Sequence, residues 1–277
     1  MAAAQADSEP PPPALVPFDP TSAEDLPTLA EPEREALLAK MRDWNYGEGG
    51  VFQRDAELGG HALYHTTAEG IRHFDLCNKL SIEPAKLHRW ILAVERCMQP
   101  DRLVPYHNAV HVCDVVHAAW WFLAEGQLAQ LLTPRATLAV LLAACAHDTG
   151  HPGRIARGTT AGEVVVVANA QAPSSDTALA GLNNNWWADR ELGRVYHGRS
   201  PLENFHIRQA LELMRHPDSN PLDGLGTDGD AVRKYMIDAI LDTDLVYHNR
   251  CCEQFKQKLD RGPPLYCWIL QDMICRC

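Results

Sequence analysis

Five residues in two short clusters set the chemistry this sequence can do. His107 and His111 lie in Tyr106-His107-Asn108-Ala109-Val110-His111. His147, Asp148 and His151 lie in His147-Asp148-Thr149-Gly150-His151-Pro152-Gly153. Neutral imidazoles bind borderline divalent cations, and one carboxylate can bridge two of them. A spacing of four puts His107 and His111 on one face if that segment is helical. His147 and His151 share the spacing, but Gly150 and Pro152 predict that a helix ends there. His147-Asp148 is then a ligand pair at the end of a buried helix. One His-x-x-x-His pair is a weak signal, and an adjacent His-Asp pair is common by chance. Two such clusters with a long apolar segment between them point to a divalent-metal hydrolase. Histidines that merely satisfy helix ends would explain His151 and leave the rest of the set without a role.

The elements that must position these residues read as helices. Leu37, Leu38 and Met41 form one apolar stripe, and Leu87, Trp90, Ile91 and Val94 form another. Thr133-Pro134 is an N-cap followed by a first-turn proline, predicting a helix through Leu141 and Cys145. Ser200-Pro201-Leu202-Glu203 has the pattern of a capping box with proline at the first helical position. Val232, Met236, Ile240 and Phe255 keep helical spacing across residues 230–259. No alternating strand pattern competes, so the expected fold is all-α.

Length and composition suit one large domain with a tail, residues 1–34 and 35–277. Residues 1–33 hold eight of the nineteen prolines, seven acidic residues and no basic one, which predicts a disordered tail. A hydrophobic content of 46% supplies a sizeable core. The net charge of −11 and the lack of a basic run argue against a nucleic-acid or anionic-membrane surface. The nine cysteines are odd in number and follow no signal peptide, so reduced thiols in the cytoplasm are expected. The longest apolar run, 138–146, is too short for a membrane span.

The motifs in order resemble the catalytic domain of the class I 3′,5′-cyclic nucleotide phosphodiesterases, a family of HD-type metal phosphohydrolases. Its Tyr-His-Asn-x-x-His matches residues 106–111, and its His-Asp-x-x-His-Pro-Gly matches residues 147–153. Its Ser-x-Leu-Glu-Asn-x-His is similar to Ser200-Pro201-Leu202-Glu203-Asn204-Phe205-His206. Its Ile-Leu-x-Thr-Asp-x-x-x-His is similar to Ile240-Leu241-Asp242-Thr243-Asp244 with His248. The resemblance runs from about residue 41 to the last residue and implies a compact multi-helix bundle. It also implies hydrolysis of cAMP or cGMP to the 5′-monophosphate with two divalent metals, zinc and magnesium or manganese.

Carried over residue by residue, the resemblance makes His111, His147 and Asp148 metal ligands, with Asp148 bridging the two ions. His151, Glu203 and Thr243 would hold the second ion's waters. His107 would be the general acid for the leaving O3′, a task suited to a group that titrates near neutral pH. Tyr106 and Asn184 would line the substrate side. Plainer roles stand beside some of these. A capping box alone accounts for Glu203, and Thr243 can bond back to a carbonyl of its own helix. His206 and His248 are read as structural and kept outside the ligand set.

Two departures stand out. Residues 154–181 interrupt the family pattern after His-Pro-Gly, as an inserted loop or a retained intron. The sequence ends at Met273-Ile274-Cys275-Arg276-Cys277, short of the family's Cys-Ala-Asp-x-Ser-Asn, whose aspartate is a further metal ligand. The expectation is a C-terminally truncated domain with little or no activity as it stands. Competing readings are another HD-type nucleotide phosphohydrolase and a non-catalytic fragment that binds metal or a partner.

Overall fold

The computed structural model describes residues 26–100, 104–151 and 191–259. Among them the regular elements are all helical, as expected. The chain runs through α1 (Glu31–Met41), α2 (Gly50–Glu57), α3 (Ala62–His73), α4 (Leu76–Leu80) and α5 (Pro84–Cys97). Next come α6 (Ala109–Ala124) and α7 (Pro134–Ala146), then α8 (Glu191–Val195), α9 (Pro201–Leu213), α10 (Thr227–Leu241) and α11 (His248–Leu259). Residues 1–25 of the expected tail and the expected insert at 154–181 lie outside the described residues. The tail's expected end at residue 34 is too late, because α1 already begins at Glu31. The Glu33 carboxylate accepts the Ala30 N–H at 2.7 Å, and Pro32 sits in the first turn, so the helix starts there.

The centre of the bundle is α7. Every residue from Ala136 to Ala146 is buried, as befits a helix that is apolar all round. It packs mainly on α10, α6 and α3. The expected start is borne out: the Thr133 hydroxyl accepts the Ala136 N–H at 3.3 Å, and Pro134 is the first helical residue. A helix held on all sides delivers its C-terminal residues, His147 and Asp148, to a fixed place inside the protein.

Two contacts set the neighbouring helices. Gly70 lets α3 lie against α6, because a Cβ there would sit 3.0 Å from Trp120 Cδ1. The Trp90 indole on α5 donates to the Ala210 carbonyl of α9 at 3.1 Å, across a separation of 120 residues. This bond holds the helix that bears Glu203 and His206. We expect Gly70→Val to destabilise the fold by about 1–3 kcal/mol through overpacking, read as a lower urea midpoint. An unchanged midpoint would show that α3 and α6 have slack at this point. No described helix is long and apolar enough to cross a membrane.

Candidate metal centre

The first cluster is built by Asn108. Its side-chain oxygen accepts the Val110 and His111 N–H groups at 3.0 and 3.3 Å and so caps α6. Its amide nitrogen donates to the Val104 and Pro105 carbonyls at 3.0 and 3.3 Å, which pins the preceding loop. One consequence corrects the sequence reading. Because α6 starts at Ala109, His107 precedes the cap and does not share a helical face with His111. The two rings still approach, with centroids 5.8 Å apart. The cap residue itself was not singled out from the sequence, although an Asn just before an apolar helix is a standard start signal.

The second cluster follows α7. His147 is the C-cap, and the chain turns back through Thr149 and Gly150. The Thr149 N–H and hydroxyl both bond to the Ala146 carbonyl, at 3.1 and 2.8 Å. Gly150 has φ of 72°, a left-handed value that glycine adopts without strain. The turn stacks His151 on His107, with centroids 4.2 Å apart and planes 13° from parallel.

These elements converge on Asp148, which is 8% exposed. His147 Nε2 lies 3.5 Å and His111 Nε2 3.7 Å from its Oδ2, and His206 Nε2 lies 3.7 Å from its Oδ1. Two groups of potential ligands result, each with its donor atoms within 4.8 Å of one another. One is His111, His147 and Asp148; the other is Asp148, His151 and His206. Asp148 is the only member of both, which suits a bridging carboxylate.

The tautomers matter here. His147 Nδ1 lies 2.9 Å from the Ala144 carbonyl and His206 Nδ1 lies 2.9 Å from the Thr149 carbonyl. A carbonyl only accepts, so both Nδ1 atoms carry the proton. In the neutral imidazoles each Nε2 then presents a lone pair to the Asp148 carboxylate. Acceptor facing acceptor is repulsive, and the separations exceed a hydrogen bond. A cation between them reverses the sign, and imidazoles fixed through the other nitrogen are the usual outer support of such a site.

Burial and charge agree. Burial pushes His206 down to about 4. Burial and the neighbouring His147 do the same to His111, also to about 4. His151 is held well below the ordinary value by burial, and His107 is lowered by burial. Glu203 is the opposite case: burial, then Asp244, pushes it up to about 8. Neither Asp148 Oδ2 nor Glu203 Oε2 has a hydrogen-bond partner among the described residues. A buried carboxylate oxygen left unpaired costs about 1–3 kcal/mol or more, and a divalent ion between the ligand groups would pair with Asp148 Oδ2. The donor set therefore fits a divalent metal.

The low histidine values fix a pH dependence. Unfolded histidines titrate near 6.5, so between about pH 6.5 and 4 the fold binds fewer protons than the unfolded chain. The histidines' contribution to the stability of the metal-free protein should be full above pH 6.5 and fall as pH drops through that window, with the raised Glu203 offsetting only one of these groups. Thermal midpoints between pH 7 and 4 check this; a flat or rising midpoint on acidification contradicts it.

The remaining sequence candidates divide. The expected capping box at Ser200 does not form. Ser200 has a left-handed φ of 41°, and its hydroxyl donates to Asp244 Oδ2 at 2.9 Å. Glu203 makes no capping-box bond with Ser200, and its Oε2 has no partner among the described residues. Asp244 is satisfied, since Oδ1 also accepts the Val246 N–H at 3.0 Å, and it joins neither ligand group. Thr243 makes the plainer bond, donating to the Ile240 carbonyl at 2.7 Å. Tyr106 is 57% exposed with its ring 4.4 Å from that of His111. Asn184 lies outside the described residues. His206, kept outside the ligand set in the sequence reading, faces Asp148 directly. Its position three residues after Glu203 on α9 puts both on one helical face, and that spacing was the available signal.

Comparison with known proteins gives one consistent picture. The model of the family described as 3′5′-cyclic nucleotide phosphodiesterase matches residues 106–155 and 171–272. The match includes every ligand candidate above, and its gap falls inside the expected insert. A human protein named high affinity cAMP-specific and IBMX-insensitive 3′,5′-cyclic phosphodiesterase 8A is 24% identical over 244 residues, 87% of this chain and 25% of its own length. The rat 3′,5′-cyclic-AMP phosphodiesterase 4C is 26% identical over 80% of this chain and 38% of its own. The chain thus spans about a quarter to two fifths of the length of these relatives. The solved structure of LmjPDEB1 in complex with IBMX aligns with a TM-score of 0.66 at 20% identity, covering 89% of this chain and 70% of that one. At that identity the likeness concerns the fold.

Proposed function

The chain belongs to the 3′5′-cyclic nucleotide phosphodiesterase family, whose model covers more than half of its residues, and from that premise we propose that it hydrolyses a 3′,5′-cyclic nucleotide to the 5′-monophosphate. The observation behind the reading is the convergence of His111, His147 and His206 on one buried carboxylate, Asp148, with an oxygen left unpaired. His111, His147 and Asp148 would hold one divalent ion, zinc by donor type. Asp148, with His151, His206 and Glu203 nearby, would hold or surround a second, magnesium or manganese. Ions bound there supply positive charge to the phosphate oxygens and make water acidic enough to attack.

The chain's own residues supply the proton. When water's oxygen adds to phosphorus and the P–O3′ bond breaks, O3′ needs a proton, and His107 is placed to give it. Its stack on His151 holds the ring at the edge of the cluster. Burial disfavours its charged form, so it gives up a proton readily once an anionic substrate has drawn one in. Tyr106, exposed beside His111, would border the nucleotide, and Asn184, outside the described residues, would line the substrate side. Two relatives carry cyclic AMP in their names, which makes it the first substrate to assay. The described cysteines are free thiols, which suits the cytoplasmic setting we propose.

The test is conversion of cAMP and cGMP by the full chain, before and after chelation. The reading requires 5′-monophosphate as product, loss of turnover on metal removal and recovery with zinc plus magnesium or manganese. Turnover that survives exhaustive chelation, or a 3′-monophosphate product, overturns it. Metal uptake with no turnover would favour the second reading, a metal-binding domain without catalysis; the first ligand group supports that reading too, because it contains three protein donors and no fourth among the described residues.

A further inference from the structure

A largely apolar, half-open cavity lies away from the metal centre, between α3, α5 and the segment that leads into α1. It encloses about 250 Å³ and shares no residue with either ligand group. Leu26, Leu29 and Ala68 give it apolar walls, and Tyr64, His65 and His88 bring three rings to it. The volume is just below the ~300–1,000 Å³ of sites for drug-sized ligands, so a molecule of one or two rings fits.

His65 is the unusual member. It is 6% exposed, and its ring meets that of Tyr64 edge-on with centroids 5.0 Å apart. Burial, and then His61, pushes its pKa down to about 4, so the ring is neutral at physiological pH and offers one N–H and one lone pair. Beside it the Tyr64 hydroxyl is 2.7 Å from His88 Nδ1. If the phenol donates there, its oxygen keeps lone pairs free to accept a second donor.

The charge at the rim is balanced. Arg34 donates to Glu69 at 2.8 Å, and Arg72 donates to the other Glu69 oxygen at 2.5 Å. Glu31 completes the set, 3.4 Å from Arg34 and 3.9 Å from Arg72. Two guanidinium groups face two carboxylates. A charged ligand would gain no net attraction and would have to displace a bonded partner, so the cavity favours an uncharged one.

We propose that this cavity is a binding site for a small, uncharged, planar heterocycle with a donor and an acceptor on one edge, as in a lactam or a nucleobase amide. The ligand's acceptor or donor meets the His65 ring, its N–H meets the Tyr64 oxygen, and its ring lies among Leu26, Leu29 and Ala68. The site is separate from the metal centre, and the proposal stands whether or not the hydrolytic reading does.

The probe is 2-pyridone, neutral and with an adjacent N–H and C=O, titrated into the full metal-loaded chain and followed by ligand saturation transfer and the His65 ring NMR signals. Saturable binding that moves the His65 signals is expected. Ala68→Trp, which fills the cavity, should weaken binding at least tenfold and leave bound metal unchanged. His65→Phe keeps a ring of similar size and removes both nitrogens, and a loss of similar size is expected. The His65 signals staying still up to the probe's solubility overturns the proposal. So does binding that is unchanged in His65→Phe, which stands as the control if Ala68→Trp fails to fold.

Discussion

Asp148→Asn is expected to abolish hydrolysis and metal binding while leaving the metal-free fold at least as stable. The carboxylate is the single anionic group common to both ligand sets, so an amide removes the negative charge from both sites at once. Turnover should fall to background, a loss on the scale of the ~10⁶-fold or greater acceleration enzymes give. The stability result separates function from structure. Without metal, the buried Asp148 charge has an unpaired oxygen and faces the lone pairs of His147 and His206. An amide can donate to one of those nitrogens, so the metal-free variant should melt at or above the metal-free native protein. Native protein should gain about 2.7 kcal/mol when metal is present at a hundred times its Kd, and the variant should gain none. If the metal-free variant melts far lower, Asp148 is a structural anchor and the site has been misread.

His107→Ala is expected to lower kcat by about 10²–10⁴-fold, the usual worth of a general acid, with bound metal unchanged. The structure gives His107 no place in either ligand group, although its ring is stacked on His151 and near His111. The pH profile adds a second readout. Only the protonated ring can donate, so a limb of kcat/KM governed by His107 falls as pH rises through its pKa. That limb should vanish in the variant. The comparison is His111→Ala, which should lose metal together with activity. Equal loss of metal in the two variants would make His107 a ligand and remove the acid from the scheme.

What could be read from the sequence follows from the range of the interactions involved. The helix α7 and its Thr133 cap are local: periodicity and one start signal define them. The candidate ligand pair His147-Asp148 is adjacent in the chain, so the motif alone places the two residues side by side. The resemblance supplied the order of the clusters. Contacts between distant segments were not legible. His206 reaches Asp148 because the Thr149 carbonyl, 57 residues away, orients its ring. Ser200 was assigned to a cap, but Asp244, 44 residues further on, takes its hydroxyl. Spacing alone leaves open whether His107 is helical, because it does not reveal that the Asn108 side chain caps the residues that follow.

The central claim is that His111, His147 and Asp148 hold a divalent ion, and X-ray absorption at the zinc edge of the full chain loaded with one equivalent of zinc tests it most directly. The geometry requires a spectrum with about two imidazole nitrogens at ~2.0–2.1 Å and oxygen donors completing the shell, and loss of that signature in Asp148→Asn. A spectrum without imidazole ligands, or one identical in the native protein and Asp148→Asn, would contradict it.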